Sequence, residues 1–148
     1  MKCLFLILTF ACLTASAQSE EEGVKSPINA LFEGMRKSDT TLLRSAFAPG
    51  AILQTIVKNK EGAVQVRTEE VGGFIQAISR PHTEVYDERI TYDLIRVDDN
   101  LAIAWTPYQF YVGDKFSHCG VNSFQLVRLN GAWKIQYLID TRRREGCK

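Results

Sequence analysis

The second half of the chain is written almost entirely in strand chemistry. Runs from Glu84 to Val97, Leu101 to Val112, Ser117 to Leu129 and Trp133 to Thr141 are rich in β-branched and aromatic residues. Between them stand Asp98-Asp99-Asn100, Gly113-Asp114-Lys115 and Asn130-Gly131, each a turn chemistry that joins neighbouring antiparallel strands. A four-stranded meander of this length buries a face only where another layer covers it, so the cover must come from the first half.

That half supplies helices. Ser26-Pro27 is an N-cap followed by a proline at the first helical position, and Ile28, Leu31, Phe32 and Met35 recur at helical spacing to Ser38. Asp39 or Thr40 caps a second helix carrying Leu42, Leu43, Ala46 and Phe47, which Pro49-Gly50 stops. From Ala51 the period changes: Ile52 to Val57 and Ala63 to Thr68 read as a hairpin around the polar turn Lys58 to Gly62. A third helix opens near Thr68 or Glu70 with Val71, Phe74, Ile75 and Ile78 on one face and stops at Arg80-Pro81. The Gly72-Gly73 pair weakens it, at about 1 kcal/mol per glycine relative to alanine.

Ahead of all this, Met1-Lys2-Cys3, an apolar run from Leu4 to Leu13 and Ala15-Ser16-Ala17 have the layout of a signal peptide cleaved after Ala17. The apolar run is about half of the ~20 residues a membrane span needs, so stable membrane insertion is not expected. A lipoprotein reading, with Cys12 acylated, fits less well because Thr9-Phe10-Ala11 departs from the small-residue lipobox. The expected organisation is a leader at 1–17, a flexible segment at 18–25, one domain at 26–142 and a basic tail at 143–148. Localisation is then periplasmic or secreted.

After cleavage the chain holds 17 basic and 17 acidic residues. A net charge of zero gives no global attraction to phosphate, and with no basic stripe among the aromatics a nucleic-acid partner is not expected. Cys119 and Cys147 remain as an even pair in an exported chain, 28 positions apart. A disulfide there contributes about 3 kcal/mol, and the alternative is a buried and a free thiol. Two cysteines and two histidines at 82, 118, 119 and 147 show no close-paired spacing for a metal. There is no Gly-rich phosphate loop, no His-Glu-x-x-His and no CxxC, so neither a metal nor a cofactor is expected.

The order of paired helices, hairpin, third helix and terminal meander, with Ala102-Ile103-Ala104-Trp105, the Tyr108-to-Tyr111 strand end and Asn130-Gly131-Ala132-Trp133-Lys134-Ile135, resembles the nuclear transport factor 2-like superfamily. Within it the chain looks like the small exported bacterial members of polyketide-cyclase-like (SnoaL-like) or lumazine-binding type, over roughly residues 26 to 142. The resemblance implies an α+β fold in which a cone-shaped, curved antiparallel sheet packs on three helices, the cystatin-like arrangement. It does not fix a function, because that scaffold carries isomerases, dehydratases, cyclases, binding modules and transport adaptors.

In such a cone one parity of each strand faces the cavity. On the third meander strand His118, Gly120, Asn122, Phe124 and Leu126 make the expected pocket wall, with Cys119, Val121, Ser123 and Gln125 on the other face. A site of ketosteroid-isomerase type, which the resemblance implies, pairs a carboxylate base with hydrogen-bond donors. Asp140, Tyr108, Tyr86 and Asn122 are its candidate parts, although Gln54 stands where an acid is wanted. His118 is a candidate proton carrier, since an ordinary histidine titrates near neutrality. Asp140 and Arg142 share a parity and either bind a polar ligand or pair with each other. Arg67 is a further candidate anion contact, and Arg143 and Arg144 read as a solvated tail.

Three readings follow. The chain is a pocket protein for a small, partly apolar organic molecule, with Tyr86, Tyr108, Asn122, Phe124 and Arg142 as ligand contacts. Alternatively it is a proton-transfer enzyme with His118 or Asp140 as base. The third reading is an interaction module, a homodimer formed through the open sheet face.

Overall fold

The computed structural model describes residues 10–147, with side chains from Glu20 onward. In chain order it contains α1 (Phe10–Lys37), α2 (Thr40–Ala46), β1 (Phe47–Lys58), β2 (Val64–Glu70), α3 (Val71–Ser79), β3 (Tyr86–Ile90), β4 (Leu94–Asp98), β5 (Leu101–Val112), β6 (Lys115–Leu129) and β7 (Ala132–Thr141). One curved, unclosed seven-stranded sheet runs β2-β1-β7-β6-β5-β3, with β4 also paired to β5. All pairings are antiparallel except that of β1 with β7.

The turn chemistry works as expected. Asn130-Gly131 connects β6 to β7 as a two-residue loop with both residues at positive φ, 51° and 80°, the geometry that suits the twist of a tight hairpin. Asp39 caps α2, its Oδ1 accepting from the backbone N–H groups of Thr41 at 3.0 Å and Leu42 at 2.9 Å. The two glycines do not prevent α3, because Ile75 and Ile78 are buried against the rest of the core and tertiary packing outweighs propensity.

Three elements differ from the sequence reading. The first meander strand is two strands, β3 and β4, because Thr91-Tyr92-Asp93 oppose only two residues of β5. One of these is Pro107, which has no N–H for the ladder, so the extra residue is accommodated there as a bulge. β1 begins at Phe47 rather than Ala51, and its pairing with β7 slips around Pro49-Gly50, where Gly50 has φ 72°. Residues 18–25, read as flexible, belong to α1, and Pro27 lies inside that helix rather than at its start. The reason is packing: Val24 is fully buried, and a Cβ on Gly23 would stand 3.0 Å from the Trp133 indole. Residues 1–9 lie outside the described residues, as do the side chains through Ser19, and with them the expected leader cleavage and Cys12 acylation. Among the described residues no helix is long and apolar enough to cross a membrane.

The core sits between the helices and the inner face of the sheet. Ile28, Leu31 and Phe32 of α1 and Leu43 of α2 meet Ala102, Ala104, Phe124, Leu126 and Ile135. Gly34 allows the close approach of α1 to α2, since a Cβ there would fall 2.8 Å from Leu43 Cγ. On the opposite face of β6, Cys119 and Cys147 are disulfide-bonded, with their Cα atoms 5.9 Å apart.

Candidate functional site

The inner face of the sheet is not filled along its whole length. Between α1, α3 and the bend of the sheet lies a cavity of about 300 Å³. Its helical side is apolar, with Leu31, Phe32 and Met35 from α1 and Phe74, Ala77 and Ile78 from α3. The sheet side adds Phe47, Leu53, Phe110 and Leu138, and it brings together the polar residues Glu88, His118, Asn122, Asp140 and Arg142.

Strand parity and curvature assemble this polar end. Glu88, Phe110 and His118 are directly opposed across β3, β5 and β6, so they share the inner face. Asn122 lies four residues farther along β6, opposite Asp140 of β7. In a flat sheet Asn122 and Glu88 would be about 16 Å apart at their backbones, beyond the reach of their side chains. The Asn122 Nδ2 nevertheless donates to Glu88 Oε1 at 2.8 Å, so the bend of the sheet makes the contact.

A second set of bonds fixes Asp140. Its Oδ2 accepts from Arg142 Nε and from the Tyr108 hydroxyl, both at 3.1 Å. Arg142 Nη2 also donates to Thr55 Oγ1 at 3.3 Å. The Tyr108 oxygen lies 2.9 Å from the carbonyl of Thr141, so one hydroxyl spans β5 to β7. It can do so because Gly120 is interposed: a Cβ there would be 1.8 Å from the Thr141 carbonyl oxygen and 2.7 Å from Tyr108 Cε1.

Burial in an apolar wall disfavours the charged form of each titratable group. It pushes the Glu88 carboxyl up to about 7; the Asn122 hydrogen bond opposes the rise, Asp140 adds to it and Arg142 opposes it. Burial lowers the His118 pKa, as do the Arg142 and Arg144 charges, against the pull of Asp140. Burial likewise raises that of Tyr108, with Asp140 and Glu88 adding to it. The arrangement therefore offers a carboxyl that exchanges its proton near neutrality and an imidazole kept towards its neutral form, on either side of Phe110.

His118, Asn122, Asp140, Arg142 and Tyr86 all line the cavity. His118 packs on Phe110, ring centres 4.9 Å apart, and its Nδ1 is 3.0 Å from Ser117 Oγ. Tyr86 stacks on His82 at 4.3 Å. Tyr108 is not on the wall; it is 4% exposed and acts from behind, through Asp140. Phe124 is a correction: although it has the inward parity, it is fully buried edge-on against Phe32 at 6.3 Å and belongs to the core below the cavity. The parity is right but the position along the strand is too deep. Arg67 pairs across from Thr55 and is not among the lining residues.

Glu88 is the site residue the sequence reading missed. Its signal was present, because Tyr86 and Glu88 are two apart on one strand and share a face. Among the described residues no cluster of three or more His, Cys, Asp or Glu side chains could hold a metal ion.

Comparison with known proteins agrees with this architecture. A family model described as "Putative lumazine-binding" matches residues 19–137. No curated protein matches the chain. Among solved structures, Rv3472 of Mycobacterium tuberculosis is 13% identical and superposes with a TM-score of 0.71 over 90% of this chain and 77% of its own. A conserved protein of Planctomyces limnophilus is 16% identical, with a TM-score of 0.69 over 85% of this chain and 98% of its own. A protein of Streptomyces avermitilis described as a "putative dehydratase from the NTF2-like family" is 15% identical, with a TM-score of 0.63 over 85% and 97%. These likenesses establish the nuclear transport factor 2-like fold, and the sequence match, which spans most of the chain, places it in the lumazine-binding-type family.

Proposed function

We propose that the protein is an exported pocket protein that binds a small, partly apolar organic molecule in the cavity between α1, α3 and the sheet. The observation that carries this is the cavity's division into an apolar helical side and a polar end held by Glu88, Asn122, Asp140 and Arg142. A volume of about 300 Å³ is at the lower end of the range for small-molecule sites, which suits a compact ring-sized guest. The family description points the same way. Isothermal titration against a metabolite library tests it: the native domain binds at least one member, and Leu138→Trp, which fills the cavity, loses that binding. A library without a binder sinks the reading.

Export is supported by the leader-like residues 1–17 and is compatible with the disulfide. N-terminal sequencing of protein recovered from outside the cytoplasm should begin at Gln18. The dimer belongs to the same proposal: Leu101, Ile103 and Trp105 alternate outward on β5 and stand exposed. Sedimentation should show a dimer that Trp105→Glu dissociates, and a monomeric native protein removes it.

One observation favours a second reading, proton-transfer chemistry. A half-buried carboxyl with a pKa pushed up to about 7 is suited to take and return a proton at neutral pH. The resemblance to a described dehydratase is compatible with this. Exchange of solvent deuterium into a bound carbonyl compound, lost in Glu88→Gln, would support it; exchange unaffected by that change would not.

A further inference from the structure

The geometry points to an organic cation, a protonated amine on a ring-sized apolar body, as the class of molecule that the cavity takes, with its positive end against Glu88. This rests on the reading of the cavity as a ligand pocket and narrows it.

The charges on the wall do not balance. Glu69, Glu88 and Asp140 line the cavity, and among the described residues Arg142 is the one lining Lys or Arg. That guanidinium is already committed: Nε is bound to Asp140 at 3.1 Å and Nη2 to Thr55 at 3.3 Å. Asp140 in turn holds the Tyr108 hydroxyl, so its charge is compensated within the fold. Glu88 has only the neutral amide of Asn122, on Oε1. A carboxylate in an apolar wall with no cation in contact is costly, and the group responds by retaining its proton. A ligand ammonium would supply the missing partner through a charge-assisted hydrogen bond. The remaining wall suits such a guest, since Phe47, Phe74, Tyr86 and Phe110 line the same space and aromatic rings attract cations in desolvated sites. A ligand carboxylate would instead meet Glu88 and Asp140, with Arg142, already paired with Asp140, as the lining cation among the described residues.

Other charged groups do not supply the balance. His118 of β6 is kept towards its neutral form by burial and Arg142. Among the described side chains, α1 and α3 turn only apolar ones into the cavity. Glu33 and Arg36 of α1 border a shallow depression that Glu88 also lines, but they are paired with each other at 2.6 Å.

Three probes of one size separate the charge classes: 2-phenylethylamine, 2-phenylethanol and phenylacetate, titrated calorimetrically into the native protein and Glu88→Gln at pH 8. The amine is expected to bind at least tenfold more tightly than the alcohol, and phenylacetate most weakly. Glu88→Gln should bring the amine to the level of the alcohol while the alcohol changes less than twofold. Should that variant not fold, the native protein decides the matter alone: the amine's advantage over the alcohol shrinks between pH 8 and pH 5.5 as Glu88 takes up its proton. An alcohol or carboxylate that binds as tightly as the amine overturns the cation assignment and leaves the pocket reading standing. An amine advantage that persists in Glu88→Gln, or that ignores pH, also overturns it. Failure of all three probes, with the metabolite library also silent, overturns both.

Discussion

Glu88 gives the fold a pH signature that is separate from any ligand. Its folded pKa of about 7 lies above the ordinary 4.5, so between those values the native state holds a proton that the unfolded chain has released. Stability from this group is present below about pH 4.5 and is lost as pH rises through about 7. The shift sets an upper bound on the order of 3 kcal/mol, reduced in practice because Glu88 is only half-buried. Chemical denaturation from pH 4.5 to 8 should show the native protein losing stability relative to Glu88→Gln; parallel curves would mean that the carboxyl is not buried as described. Gly120 gives a second test. In Gly120→Ala the new methyl meets the Thr141 carbonyl at 1.8 Å, so β6 and β7 must shift or Tyr108 must leave Asp140. A loss of about 1–3 kcal/mol or more is expected in urea melts. At this scale the sequence was legible where parity alone decides, as for His118, Asn122, Asp140 and Arg142. It was not legible where depth decides: Phe124 and Asn122 have the same parity, yet one is core and the other wall. Depth depends on where the helices end over the sheet, and no single strand records that.

Elements whose limits are set by local chemistry were the most readable. Asp39 before Thr40, the Asn130-Gly131 turn and the switch to β-branched residues after Ala51 each specify a boundary through hydrogen bonds or φ, and the structure uses all three within a few residues. Elements set by remote partners were not. The parallel pairing of β1 with β7 joins segments about 85 residues apart in sequence, and parallel ladders carry no turn signal. The break between β3 and β4 is caused by Pro107 on the neighbouring strand, so nothing within Thr91-Tyr92-Asp93 announces it. The early start of α1 depends on Val24 finding the core beside Trp133. The locally specified boundaries are the ones that a single substitution should weaken in isolation. Asp39→Ala removes the acceptor for two N–H groups at the start of α2 and is expected to cost about 1 kcal/mol, read as a lowered urea midpoint with an unchanged slope.

The molecule has two faces joined through β6, and their coupling makes the C-terminal segment part of the site. Alternate residues of that strand point to the cavity and to the outside, so His118 lines the pocket while its neighbour Cys119 holds Cys147 on the opposite side. Between these anchors the backbone of Arg143 exchanges two hydrogen bonds with Cys119, each 2.9 Å. Arg142 is thus positioned between Thr141, which receives the N–H of Val121 on its hydroxyl, and a residue tied to the disulfide. A covalent loop of 28 residues restricts the unfolded chain and contributes about 3 kcal/mol on the loop-entropy estimate. The native protein is therefore expected to lose roughly that amount in urea melts when a reductant is added, and to match Cys147→Ser, which should itself be insensitive to reductant. If the reduced protein were as stable as the oxidised one, the disulfide would be contributing nothing to the fold. In that case Arg142 would be positioned by Asp140, Thr55 and the backbone pairing of Arg143 with Cys119, with no help from the covalent link.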